Sequence, residues 1–148
     1  MLFDPQNPIN QLCARGMMSE GEGKPQEAAK LFSQAWNEAG NSTEKFIAAH
    51  YVARHQSTVA DKLKWDETAL NLALEIDNSE LKAMYPSLYL NIAKCYEDLK
   101  DYVKATENYQ WAFQYTVFLP YDGYGDMIRA GIKNGMERVR LTHTEQED

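Results

Sequence analysis

The stretch LYLNIAKCYEDLKDYVKATENYQWAFQYTVFLP, Leu88 to Pro120, holds two helical patterns joined by a short polar break. Tyr89, Ile92, Ala93, Tyr96 and Leu99 fall on one face of a first helix. Ala105, Tyr109 and Ala112 fall on one face of a second, which starts at Asp101. A helix pair this short cannot bury its own apolar face, so it requires neighbours built alike.

The whole chain can supply them. Its 148 residues are 44% hydrophobic. That is enough for one compact domain with a core, and far from a disordered composition. A net charge of −7 argues against nucleic-acid binding, which needs a basic footprint. Cys13 and Cys95 stand alone in helical contexts, without CxxC or framework spacing. This predicts two reduced, buried thiols and a cytoplasmic setting. The opening MLFDPQNPINQL has no basic leader followed by an apolar run, and nowhere do 18 apolar residues follow one another. Neither a secretory signal nor a membrane span is therefore expected.

Outward from the quoted stretch, the same punctuation recurs. A first helix is predicted from Pro8 to Glu20, with Ile9, Leu12, Cys13, Gly16 and Met17 on its stripe. Glu20 to Pro25 is a break, and a second helix runs from Pro25 to Ala39 with Ala28, Leu31, Phe32, Ala35 and Trp36 inside. The third, Thr43 to Gln56, is capped by Ser42 and is apolar on two sides, as a helix sandwiched between neighbours would be. A fourth reaches Ile76, with Leu63, Ala69, Leu70, Ala73 and Leu74 inside. Pro86 predicts a loose turn over Glu80 to Tyr85 before a fifth helix that ends near Leu99. The sixth runs from Asp101 to Phe118. The seventh spans Asp122 to Leu141, with Ile128, Ile132, Met136 and Val139 on its stripe. Asp126, Lys133 and Glu137 are spaced to pair along it, and Gly131 and Gly135 allow close packing. A polar tail over 143–148 should fray. No segment alternates with period two, so the expected class is all-α.

Overlaying the pairs reveals a period. Ala28, Phe32 and Ala35 match Ala105, Tyr109 and Ala112 at a constant offset of 77 (105 minus 28), and a middle copy falls at Asp66, Leu70 and Ala73. In this register the chain resembles the tetratricopeptide repeat family, whose unit is about 34 residues. Tyr89, Ile92-Ala93, Tyr96, Leu99, the turn Lys100-Asp101-Tyr102, Ala105, Tyr109 and Ala112 carry the best copy. The first keeps Leu12, Gly16, Gly23, Ala28, Phe32 and Ala35 but has Arg15 and Ser19 at places where leucine and tyrosine are usual. The middle one departs further, with Asp66 in place of a small residue and Ser57 in place of an aromatic. The resemblance implies a right-handed α-α superhelix of about seven helices. Its repeats lie at 8–40, 43–77 and 79–120, with a capping helix at 122–142 over the last pair's open face.

It further implies that the first helix of each pair lines a concave face. By register those positions are Cys13 and Met17, Tyr51 and His55, Leu90 and Lys94, and Arg129 and Lys133. With Arg54 and Asn91 beside them, they make a candidate groove for an acidic peptide or protein segment, with Tyr51 as an aromatic anchor. Of the places at which some members of the family clamp a C-terminal carboxylate, only Asn91 matches, so that mode is disfavoured. His50 and His55 lie about 140° apart around a helix and cannot hold one ion from a single face. His50 reads as a packed, hydrogen-bonded core histidine, and Trp36, Trp65 and Trp111 as packing residues. HExxH, GxSxG, P-loop and dinucleotide motifs are all missing. The expectation is a non-catalytic adaptor or assembly module without cofactor, against two rivals. One is a self-associating homo-oligomer; the other is a small hydrolase or metal enzyme on a helical frame.

Overall fold

The structure, a computed structural model, describes the backbone of residues 2–147 and the side chains of residues 2–142. It is all-α: α1 (Pro8–Gly21), α2 (Pro25–Glu38), α3 (Ser42–Val52), α4 (Val59–Glu75), α5 (Tyr85–Asp98), α6 (Tyr102–Gln114) and α7 (Gly123–Glu147). Short 3₁₀ turns cover Ala53–His55, Ser79–Ala83 and Tyr115–Phe118, and there is no strand among the described residues. Every helix except α2 and α5 starts where a short polar side chain accepts orphan backbone N–H groups, as does the 3₁₀ turn at Ser79. Asn7 accepts from Ile9 and Asn10, Thr58 from Asp61, Asn78 from Glu80, Asp101 from Lys104 and Asp122 from Gly125. The cap of α3 is Asn41, which accepts from Glu44 N at 2.9 Å, and not Ser42, which is already helical. Pro86 sits in the first turn of α5, where its missing N–H costs nothing, and the residues before it form the 3₁₀ turn. α7 is helical as far as Glu147, and Asp148 lies outside the described residues.

The chain divides into two units, Met1–Asp77 and Asn78–Asp148, each with its own core. In the first, α1 packs on α2, α2 on α3 and α3 on α4 around Phe32, Phe46 and Ala49. α3 is covered on both sides, with Phe46, Ile47, Ala48, Ala49 and Val52 all buried. In the second, α5 and α6 pack together and α7 lies on both, around Ile92, Tyr109 and Ile132.

The period is a property of the backbone as well as of the residues. α1 begins at Pro8 and ends at Gly21; α5 begins at Tyr85 and ends at Asp98, the same offset at each end (85 minus 8, 98 minus 21). Both pairs turn through a left-handed residue at the same place, Gly23 at φ 76° and Lys100 at φ 64°, once more in register (100 minus 23). Both close that corner with matched bonds of the kind that end helices. Lys24 N donates to Ser19 O at 2.8 Å, and Asp101 N donates to Tyr96 O at 2.9 Å. The overlay also predicts burial correctly, since Ala28, Phe32, Ala35, Asp66, Leu70, Ala73, Ala105, Tyr109 and Ala112 are all buried. The middle pair lacks the left-handed corner: α3 leaves through the 3₁₀ turn at Ala53–His55, and the only left-handed residues described are Gly23 and Lys100. Buried Asp66, where the other copies have alanine, is paired with Lys62 one turn before it on α4.

Candidate functional site

Four of the sequence-predicted groove residues, Cys13, Tyr51, His55 and Leu90, are taken up by packing. Cys13 is a core residue and not a groove residue: its side chain is 2% exposed and burial pushes its thiol up to about 11. Cys95, like Cys13, is a buried cysteine thiol. Met17, read both on the stripe of α1 and as a groove position, is exposed, and so are Leu74 and Leu99, both expected inside. Tyr51 is not an open anchor. It is half-buried and stacks on Phe32 with ring centroids 5.1 Å apart, while His55 stacks on the same ring at 5.6 Å. Arg54 and His55 are then held by one carboxylate, Glu20, at 3.2 Å and 2.7 Å. Leu90 packs toward Gly131 of α7, where an added Cβ would lie 3.1 Å from its Cδ2. Lys94 pairs with Asp98 one turn along α5, and Asn91 is half-buried on the same helix.

His50 retains some exposed surface, yet its Nδ1 is buried with no hydrogen-bond partner, against the expected hydrogen-bonded core histidine. Burial above all, then the charges of Arg54 and Lys62, push its pKa down to about 4. The ring is therefore neutral near pH 7. Among the described residues, His, Cys, Asp and Glu form no group of three placed to hold a metal ion, and no helix is long and apolar enough to cross a membrane.

Glu97 was not singled out from the sequence, but it does for the second unit what Glu20 does for the first. It accepts from Tyr109 Oη at 2.6 Å and from Arg138 Nε at 2.8 Å. Burial alone would raise its pKa, but the hydrogen bonds from Arg138 and Tyr109 and the charges of Arg138 and Lys94 outweigh it and hold the carboxyl below its usual range. Tyr109 is pushed well above the ordinary tyrosine range, first by burial and then by its bond to Glu97. The signal was present in the spacing, because Glu20 and Glu97 stand at the repeat offset themselves (97 minus 20).

Arg129 and Lys133 do border an open surface. Between α6 and α7 lies a cavity of about 710 Å³. Its apolar lining comes from Ile132, Met136 and Val139 on α7 and Phe113 on α6, with Thr106 and Gln110 along the α6 wall. Arg129, Lys133 and Arg140 bring three cations to its α7 side, with Glu137 among them. Two of these cations are partly engaged. Arg129 donates to the carbonyls of Leu119 at 3.1 Å and Pro120 at 3.2 Å, and its guanidinium lies over the Tyr121 ring at 4.7 Å. Arg140 pairs with Glu137 at 2.6 Å, whereas the expected i, i+4 pair through Lys133 is replaced by i, i+3 arginine pairs on α7. Lys133 stands exposed between them. Phe113 is 60% exposed and Trp111 beside it 49%, so the α6 side presents large apolar surface to solvent. A concavity with an apolar floor, a few polar groups and a charged border suits a side chain or a short helical segment of another molecule.

No protein-family model matches the chain, and comparison with curated proteins and with solved structures likewise gives no match.

Proposed function

We propose that this chain is a short tetratricopeptide-like array acting as a non-catalytic adaptor or assembly module, and that it holds an acidic segment of a partner protein. The observation that carries the reading is the groove between α6 and α7, open, apolar along its floor and bordered by Arg129, Lys133 and Arg140. The recurrence of the helix pair at one fixed offset supports the array. The two buried cysteine thiols fit a cytoplasmic setting. The proposed surface is narrower than the one read from the sequence. Tyr51, His55 and Leu90 are committed to packing and Arg54 and Lys94 to ion pairs, and of the original set Arg129 and Lys133 border the groove.

Selection of a random peptide library on the immobilised full chain tests this. Enriched peptides should combine a bulky apolar residue with acids, and should bind a Lys133→Glu, Arg140→Glu double variant at least about tenfold more weakly. A library that yields no enrichment, or peptides indifferent to the double charge reversal, would remove the support for the reading.

A further inference from the structure

The open groove of the second unit has a counterpart in the first where a later helix brings a ring against the matching aromatic. Phe113 follows Trp36 at the repeat offset (113 minus 36), so it holds the matching place on the second helix of its pair. Trp36 is covered: Trp65 of α4 meets it edge-on, centroids 5.0 Å apart at 89°. α4 also packs along α3, the helix that follows the first pair. α7 follows the second pair as α3 follows the first. After each pair an arginine reaches back to that pair's glutamate, Arg54 of the 3₁₀ turn that follows α3 to Glu20 and Arg138 of α7 to Glu97. After α3 the chain breaks and α4 turns back along α3, with Trp65 set against Trp36; α7 instead runs on as helix to Glu147, and among the described residues no helix covers Phe113.

From this juxtaposition we infer that the α6–α7 groove is the docking site for one amphipathic α-helix of a partner protein, presenting a face built like that of α4. Tryptophan or another large aromatic would lie over Phe113. Small residues would lie along α7, and acidic side chains would face Arg129, Lys133 and Arg140. The inference rests on the protein-binding reading and sharpens it from any acidic segment to a helix with a defined face. A second copy of this chain fits less well. Its own α4 is already seated in its first unit, and groove-to-groove contact would set two cationic borders against each other.

The chain supplies its own probe. A labelled peptide with the sequence Thr58–Glu75, and a second with Lys62 and Lys64 changed to glutamate, are titrated into the full chain by fluorescence anisotropy, with circular dichroism of the mixtures. The expected result is saturable binding with a gain of helix, several-fold tighter for the acidic peptide. Binding should be at least about tenfold weaker for a Trp65→Ala peptide and for a Phe113→Ser protein. Phe113 is exposed, so the serine variant should melt with the parent, and the Lys133→Glu protein gives an independent reading through the acidic peptide alone. Binding that ignores Phe113→Ser places the peptide elsewhere and overturns the inference. If library peptides bind in extended form while both α4 peptides fail, the helix inference falls and the protein-binding reading stands. If neither kind binds, both fall.

Discussion

Phe32 and Tyr109 occupy the same place in their units and are covered by opposite means. Over Phe32 lie two rings, Tyr51 and His55, and beneath it the missing side chain of Gly16, where an added Cβ would come within 2.3 Å of the phenyl ring. Over Tyr109 lies backbone: a Cβ on Gly135 would come within 2.2 Å of its ring, and its hydroxyl is tied to Glu97 and Arg138. The corner beneath is the same in both, down to the left-handed residue and the glutamate. The repeat therefore specifies a small-to-large contact and a carboxylate, and leaves each unit free to choose its roof. Stacked rings cover Phe32, whereas the missing side chain of Gly135 lets α7 come close to Tyr109.

The largest expected effect follows from removing either ring. Both side chains are fully buried. Phe32→Ala and Tyr109→Ala should each lose about 3–5 kcal/mol. Tyr109→Ala should be the worse of the two because it also strips Glu97 of a donor. Urea denaturation of both variants compares them, and a Tyr109→Ala midpoint close to that of the parent would mean the ring is not the keystone of its unit.

A second difference is titratable. The first unit buries the ring nitrogen of His50 beside Arg54 and Lys62; an unfolded histidine titrates near pH 6.5, and the folded one near 4. Between those values the unfolded chain binds more protons than the folded one. Stability therefore falls as pH drops from about 6.5 to about 4, by roughly 2–3 kcal/mol in total. Above that window the term vanishes. His50→Phe should flatten this part of the profile, which urea midpoints at neutral and mildly acidic pH would show; parallel profiles for parent and variant would contradict the placement.

The corners give the smallest effects and the sharpest contrast. Lys100 adopts at φ 64° a conformation that Gly23 adopts at φ 76°. Only the glycine does so without steric cost. Lys100→Gly should gain up to about 1 kcal/mol, and Gly23→Ala should lose about 1 kcal/mol. Thermal melts of the pair would then move in opposite directions; equal shifts of one sign would show that the two corners are not equivalent.

Much of the frame was legible beforehand. Capping residues, glycines and prolines mark helix ends through local chemistry, and the small–large–small spacing of Ala28, Phe32 and Ala35 depends only on positions along one helix. Gly131 and Gly135 were likewise readable as close-approach sites, because a missing side chain on a helix has few other uses. The site was less legible. Cys13, Tyr51, His55 and Leu90 lie on helix flanks, and periodicity gives a flank without saying which neighbour covers it. Leu74 and Leu99 show the same ambiguity from the other side, apolar and helically spaced yet exposed.

By itself the sequence determined an all-α chain of seven helices and the register that relates Phe32 to Tyr109, because both are consequences of spacing along the chain. Tertiary structure alone decided which carboxylates hold Arg54, His55 and Arg138, and that Phe113 stands open while Trp36 is covered. Those outcomes depend on where α4 and α7 lie against the pair before them, and contact between helices far apart in the chain is set by packing in three dimensions.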